Sequence, residues 1–238
     1  MRSIYLKNIL SLLKNTGETI SILCQSSDTI IINILDNTEE LLFHFELNSR
    51  NTLIIGKTYI VCLSDLHKIF KFVVSEALVV FSDDYSNLNI KIFSSLHLQT
   101  EIKLPLLYKE HNNLITQTFE ELILDKPYFI SVKISDFSRI IKSLKNTSSN
   151  YAMSFNNKAL KIENIEAVIP ISYSLTSLSD TTFPSSIKAE AVLNLSNNCL
   201  LRLNKLSVTN KNINVYNHFI TSSDEDIKYY ILFIPQNE

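Results

Sequence analysis

The 238-residue chain has no tryptophan and only two glycines, Gly17 and Gly56. A Walker-type loop, a dinucleotide fingerprint and a G-x-S-x-G nucleophile elbow each need glycines close together, so all three are excluded. The three cysteines, Cys24, Cys62 and Cys199, sit among apolar neighbours. An odd number in such surroundings suits burial in a reducing compartment and not a disulfide framework. Uncharged apolar runs fall far short of a membrane span. The opening stretch Met1–Lys7 meets a lysine before a signal-peptide core can form, so a soluble intracellular protein is expected. Charge of one sign is lacking too: 22 Lys+Arg stand against 24 Asp+Glu, a net of −2. That balance excludes a highly basic nucleic-acid coat and an acidic tail, but not cations gathered on one face.

What is present is a globular composition, 45% hydrophobic and 19% charged, long enough for one large domain or two ordinary ones. Strand signals dominate. Short Ile-, Val-, Phe- and Tyr-rich runs cover 19–24, 29–35, 41–47, 59–63, 78–81 and 88–93. A second series covers 128–134, 151–155, 159–162, 167–175, 189–195, 213–219 and 227–234. Asn, Asp, Ser and Thr clusters separate them and turn the chain by side-chain to backbone bonding, without glycine. Strict alternation in Leu42–Leu47 and Val168–Tyr173 predicts half-buried strands of antiparallel sheets.

Four segments carry helical spacing instead: 6–16, 64–75, 135–147 and 196–208. Ser64-Asp65 and Ser135-Asp136 are expected to cap the second and third. These two also align with each other, Ser64–Lys71 against Ser135–Lys142. The helix starts imply a four-fold repeat of strand, helix and several strands, grouped as two halves. The halves are 1–105 and 127–238, with the polar stretch 106–126 as a connector.

The cations are unevenly placed. The four helical segments hold nine of the 22: Lys7, Lys14, Lys68, Lys71, Arg139, Lys142, Lys145, Arg202 and Lys205. That is about twice a proportional share. The only acids there are Asp65 and Asp136, both at helix starts, where a carboxylate meets the positive end of the dipole. Spacings of three and seven project such cations from one face, opposite the apolar one. A positive stripe with almost no acid is the complement of a phosphate backbone, whose recognition needs cations and no base-specific groups.

Other constellations carry less. His44, His67, His97, His111 and His218 are scattered, with no His/Cys pair at metal-ligand spacing. Cys62 has no local signature of a nucleophile. Asp224-Glu225-Asp226 reads as a solvated turn, and Tyr229-Tyr230 as packing at a domain edge. No catalytic residue, metal or cofactor is expected.

Two halves of basic helices over antiparallel sheet, closed by Asp226–Pro235 with its Tyr-Tyr pair, resemble the sliding clamps of the PCNA-like superfamily. Within it the chain looks most like the Hus-type (hydroxyurea-sensitive) subunit of the heterotrimeric checkpoint clamp. The residues that carry this are Leu41–Leu47, Glu101–Pro105, Ile130–Ile134, Ile140–Asn150 and Ile234-Pro235. In two features the chain departs from the family: its glycines are few, and the strand before the first helix is cut to about Met1–Tyr5.

The resemblance implies an α+β fold of two tandem clamp domains, with sheets outside and two short helices per domain inside. It implies a nuclear, non-enzymatic subunit of a heterotrimeric ring in DNA-damage signalling and repair. The nine helical cations would meet double-stranded DNA without reading its sequence. Neighbouring subunits would join through strands 97–104 and 166–175, with His97, Gln99, Glu101, Lys103, Val168, Ile169, Ile171 and Tyr173 as interface residues. A clamp loader and repair or checkpoint proteins would be further partners, with no membrane role. Two other readings stand beside it: a homotrimeric replication processivity factor, and an all-β interaction protein without a DNA role.

Overall fold

The structure, a computed structural model, describes residues 1–94, 99–107, 129–156, 159–178, 192–203, 212–216, 219–223 and 226–234. These divide into two compact units, within Met1–Gln117 with Ser223–Tyr230 and within Thr118–Ser222 with Ile231–Pro235.

In the first unit the order is α1 (Ser3–Leu13), β1 (Thr19–Ser26), β2 (Thr29–Leu35), β3 (Leu41–Asn48), β4 (Thr58–Cys62), α2 (Leu63–Lys71), β5 (Leu78–Asp84), β6 (Asn87–Phe93) and β7 (Gln99–Pro105). In the second it is β8 (Ile130–Lys133), α3 (Ile134–Leu144), β9 (Asn150–Asn156), β10 (Ala159–Ile165), β11 (Ser172–Thr176), β12 (Val192–Ser196), α4 (Asn197–Leu203), β13 (Asn212–Val215) and β14 (Phe219–Ser223), while the last strand, β15 (Ile227–Phe233), belongs to the first unit up to Tyr230 and to the second from Ile231. The predicted repeat is therefore a strand, a helix and three strands, complete in the second, third and fourth copies.

The first copy lacks its leading strand. The helix begins at Ser3, so the strand expected over Met1–Tyr5 is reduced to a single bridge between Arg2 and Leu78. The first helical turn takes over its role: Ser3 and Ile4 donate backbone N–H bonds to the Ala77 and Ser75 carbonyls at 2.8 and 3.1 Å. Those N–H groups have no partner within their own helix, so the loop before β5 satisfies them.

Pairing follows one rule within each unit. A copy's leading strand adds to the meander of its sister copy, not to its own. Thus β4 lies on β1 with Val61 opposite Ile20, and Arg2 touches β5. In the second unit β8 lies on β13 with Val132 opposite Ile213, and β12 lies on β9 with Leu193 opposite Met153. All these ladders are antiparallel. Sheet orders are β4-β1-β2-β3 and β5-β6-β7 in the first unit, β8-β13-β14 and β12-β9-β10-β11 in the second. The start of β15 lies beside β3, where Asn48 N–H donates to the Asp226 carbonyl at 3.0 Å. Its last residues follow β14.

The helices bury one side each. Leu6, Ile9, Leu10 and Leu13 of α1, Leu66 and Phe70 of α2, Phe137, Ile141 and Leu144 of α3, and Leu200 and Leu203 of α4 are buried, as are strand residues such as Ile22, Phe43, Phe81, Met153 and Ile162. The spacing of three and four is what lets one side of a short helix supply this core. With glycine so rare, helix ends use asparagine. Leu13-Lys14-Asn15-Thr16 and Leu144-Lys145-Asn146-Thr147 terminate α1 and α3 in the same way. Asn15 and Asn146 take φ of 62° and 64°, and Thr16 and Thr147 donate back to the Leu13 and Leu144 carbonyls at 2.9 and 3.0 Å. Asparagine is the side chain that best tolerates this left-handed position after glycine. Gly17 is retained for space: a Cβ there would lie 2.9 Å from the Leu35 carbonyl oxygen.

Several expectations need correction. The strand predicted over 167–175 is Ser172–Thr176 alone. Pro170 has no N–H for a ladder and Glu166 turns the chain at φ 56°, so Val168 and Ile169 are exposed instead of half-buried. The strand predicted over 213–219 is two, β13 ending at Val215 and β14 beginning at Phe219. Ser64 and Ser135 do not cap α2 and α3. The cap positions are Cys62 and Lys133, without side-chain cap bonds. The fourth helix is described as Asn197–Leu203, and 204–208 lie outside the described residues.

The β3–β15 pairing buries a histidine. His44, 4% exposed, meets the Tyr230 ring edge-on at 5.7 Å and Glu46 at 3.6 Å, with Asn33 opposite on β2. Lys228 sits 3.8 Å from Glu46 and over the Tyr230 ring at 4.9 Å. Desolvation outweighs the Glu46 hydrogen bond and holds His44 below the usual histidine pKa of about 6.5. The unfolded chain therefore takes up a proton before the native one does, so stability falls as pH drops below about 6.5 toward the lowered native value. Glu46, held below the usual carboxylate range chiefly by its His44 hydrogen bond, loses its contribution only at more acid pH. Urea unfolding from pH 7 to 5 should show this decline, and His44→Gln should flatten it. An equal decline in the variant would assign the effect elsewhere.

Candidate nucleic-acid interface

The cations of α2 and α3 occupy the side of each helix that the core does not use. In α2, Leu63, Leu66 and Phe70 point inward, leaving Ser64, Lys68 and Lys71 exposed. In α3, Ile134, Phe137, Ile140, Ile141 and Leu144 are buried, leaving Arg139 and Lys142 exposed, with Lys145 exposed at the C-cap. The three-residue spacing of the cations is thus an outward stripe because the interleaved apolar residues are fixed in the core.

The two acids sit in the first turn of their helices, as expected, but each also pairs with a cation of its stripe. Asp65 pairs with Lys68 at 2.9 Å and Asp136 with Arg139 at 3.3 Å, each one helical turn on. The hydrogen bond from Lys68 holds the Asp65 carboxyl below its usual range, and the same bond raises the Lys68 ammonium. The stripes are therefore not free of neutralising acid, as the sequence had implied. Both pairs are solvent-exposed and weakly held, so a phosphate can displace the carboxylate. Lys71, Lys142 and Lys145 make no ion pair among the described residues.

The remaining cations differ. Lys7 is half-buried, and its Nζ donates to the Val73 carbonyl at 2.5 Å. It ties α1 to the loop after α2 and is less available than its spacing suggests. Lys14 is exposed at the C-cap of α1. Arg202 on α4 is half-buried, and Lys205 lies outside the described residues.

The residues expected at subunit contacts fall at sheet edges. β7, with Gln99, Glu101 and Lys103, is the outer strand of its sheet, and β11, with Tyr173, is the outer strand of another. Lys103 is held by Asp84 at 3.0 Å. Val168, Ile169 and Ile171 are not on the edge strand. They precede it in a loop pinned by Asn164, whose side chain donates to the Ile169 carbonyl at 3.0 Å and accepts from Ile171 N–H at 2.7 Å. Val168 is fully exposed. His97 lies outside the described residues. So does the expected connector, except Leu106 and Leu107, whose N–H groups reach the Ser86 and Ile60 carbonyls.

No group of three or more His, Cys, Asp or Glu side chains among the described residues could hold a metal ion. Cys24 and Cys199 are buried, and burial raises the Cys24 thiol. Cys62 lies 3.2 Å from the Ser64 hydroxyl. No described helix is long and apolar enough to cross a membrane.

Sequence reasoning overlooked Phe72, the C-cap of α2, which is 81% exposed. The signal was available. Phe72 follows Lys71 and stands two places after the buried Phe70, about 200° around the helix.

No protein-family model matches the chain, and no curated protein is similar to it. Its fold does have a counterpart among solved structures. Proliferating Cellular Nuclear Antigen from Entamoeba histolytica superposes with a TM-score of 0.73 at 12% identity, covering 99% of this chain and 96% of that one. The chain thus has the α+β fold of a two-domain PCNA-like clamp, with antiparallel sheets and, among the described residues, four short helices.

Proposed function

We propose that this protein is a subunit of a ring-shaped sliding clamp that encircles duplex DNA and has no catalytic role of its own. The observation that carries the proposal is the outward cation stripe on α2 and α3, in a chain whose fold matches a clamp along its whole length. In this reading Lys68, Lys71, Arg139, Lys142 and Lys145 make the principal phosphate contacts, supported by Lys14, Arg202 and Lys205, while Lys7 braces its helix. Cations without base-reading groups give sequence-independent, salt-dependent contact, and ring closure supplies retention. β7 and β11, outer strands among the described residues, would pair with neighbouring subunits, as an edge strand favours. Val168, Ile169 and Tyr173 would supply apolar contact beside β11.

The finer reading is a checkpoint-type heterotrimer acting in the nucleus with a clamp loader and repair or checkpoint proteins. Its support is the resemblance of 41–47, 130–134 and 140–150. A homotrimeric replication clamp is the second reading, favoured by the full-length likeness to PCNA. Light scattering on the purified chain separates them. A checkpoint subunit should be a monomer that assembles only with two different partners, whereas a stable trimer of the chain alone would overturn that choice.

The DNA face has its own test. Reversal of Lys68, Lys71, Lys142 and Lys145 to glutamate should abolish binding to duplex DNA at low salt. Single Lys→Ala changes should each reduce the slope of log affinity against log salt by about 0.9. Unchanged binding and slope would show that the stripes do not meet phosphate.

A further inference from the structure

We propose that Tyr85 is a phosphorylation site, where a tyrosine-directed protein kinase with ATP places a phosphate that takes Lys103 from Asp84. The inference stands apart from the clamp reading and uses residues of the first unit alone.

Three observations carry it. The first is the state of the side chain. Tyr85 is 94% exposed at the tip of the β5–β6 hairpin, where Asp84 pairs with Asn87. Its hydroxyl makes no hydrogen bond and its ring no aromatic or cation contact among the described residues. Tyr59, Tyr151, Tyr229 and Tyr230 are buried, and Tyr173 is only 36% exposed. An enzyme that acts on tyrosine oxygen therefore meets Tyr85 first among the described tyrosines.

The second is strain. Tyr85 has φ 40°, in the left-handed region that a bulky side chain seldom enters. Around it Ser86 N–H closes a γ-turn onto the Asp84 carbonyl, a form that is rare when the central φ is positive. At three other left-handed positions the chain has Asn15, Gly56 and Asn146, residues that tolerate this conformation better. Here it keeps a ring that packs on nothing, so the fold gains no contact to offset the strain. Such an outlier points to a use outside the fold, and opening of the turn in a kinase cleft relieves it.

The third is charge. Asp83 and Asp84 directly precede the tyrosine, and carboxylates beside the acceptor are what a basic substrate groove selects. Lysines stand behind them. Lys57 holds Asp83 at 3.1 Å, and Lys103 on β7 holds Asp84 at 3.0 Å in a pair open to solvent. Such a pair is weak. A phosphate carries about −1.5 to −2 charge at pH 7, so it displaces the singly charged Asp84 from Lys103. The tip also touches the end of β7, since the Ser86 carbonyl accepts from Leu106 N–H at 3.1 Å. The modification thus changes the charge where the chain leaves that strand.

The transfer balances simply. The Tyr85 oxygen attacks the γ-phosphorus of ATP, and the bond from that phosphorus to the β–γ bridging oxygen breaks. ADP leaves, and the phenol proton passes to the carboxylate base of the kinase.

The test incubates the full-length protein with magnesium ATP and the catalytic domain of a tyrosine kinase that prefers acidic substrates, then maps phosphate by mass spectrometry. Phosphate should enter Tyr85 ahead of every other tyrosine, and Tyr85→Phe should lose it. Asp83→Asn/Asp84→Asn should slow the reaction about tenfold. In the product, phosphorus NMR should place the second ionisation of the phosphate below its ordinary value of about 6, and Lys103→Ala should restore that value. Tyr85→Asn should raise the melting midpoint by about 2 °C, as relief of the strain requires. Phosphate that spares Tyr85, or no incorporation, would overturn the inference. So would an ionisation that Lys103→Ala leaves unmoved, or a melting midpoint that falls in Tyr85→Asn. A change of oligomeric state in Tyr85→Phe would also overturn it, since the side chain would then serve a contact between subunits.

Discussion

Exchange of leading strands between sister repeats is the constraint from which the rest follows. Each β-α-β-β-β copy places its first strand on its sister's sheet, β4 on β1 in the first unit and β8 on β13 with β12 on β9 in the second. Because a helix follows its strand directly, the exchange delivers two helices to each unit. Each must bury one apolar side, which leaves only the opposite side for charge. The first copy shows how little strand is needed. One bridge at Arg2, with the first turn of α1 and Lys7 bound to the loop before β5, replaces an entire strand.

The electrostatic pattern is subtler than a bare positive surface. On α2 and α3 an acid one turn before a cation pairs with it, while Lys71, Lys142 and Lys145 are left without an ion pair among the described residues. Each acid also sits in the first helical turn, where the dipole favours it. The same carboxylate thus steadies the helix start and holds a cation loosely in place. Such exposed pairs are worth little in isolation, so exchanging a carboxylate for a phosphate costs little.

Much of this was legible in the sequence, for reasons that can be named. Strands such as Thr19–Ser26 and helices such as Ile134–Leu144 carry a strong period, and the core honours it. The copies 64–71 and 135–142 aligned by residue type because they occupy the same step of the repeat. The misreadings arose where alternation was interrupted by backbone chemistry. Val168–Tyr173 alternates, yet Pro170 and the left-handed Glu166 hold its first part out of the ladder. Ser64 and Ser135 are good capping residues two places past the cap positions, Cys62 and Lys133. Pairing of Asp65 with Lys68, the bond from Lys7 to Val73 and the exposure of Phe72 depend on rotamers and on a loop from another part of the chain. No local pattern encodes those.

The proposed function is topological: a ring held on DNA by closure, with the helices giving only weak, non-specific contact. Retention on DNA of different topology addresses it most directly. Assembled with its partner subunits and loaded onto nicked circular DNA, the protein should stay bound through a high-salt wash. It should be released when one cut linearises the circle. Loss from the intact circle at high salt, or retention after linearisation, would contradict the account, since either would mean that direct contacts and not encirclement hold the protein on DNA.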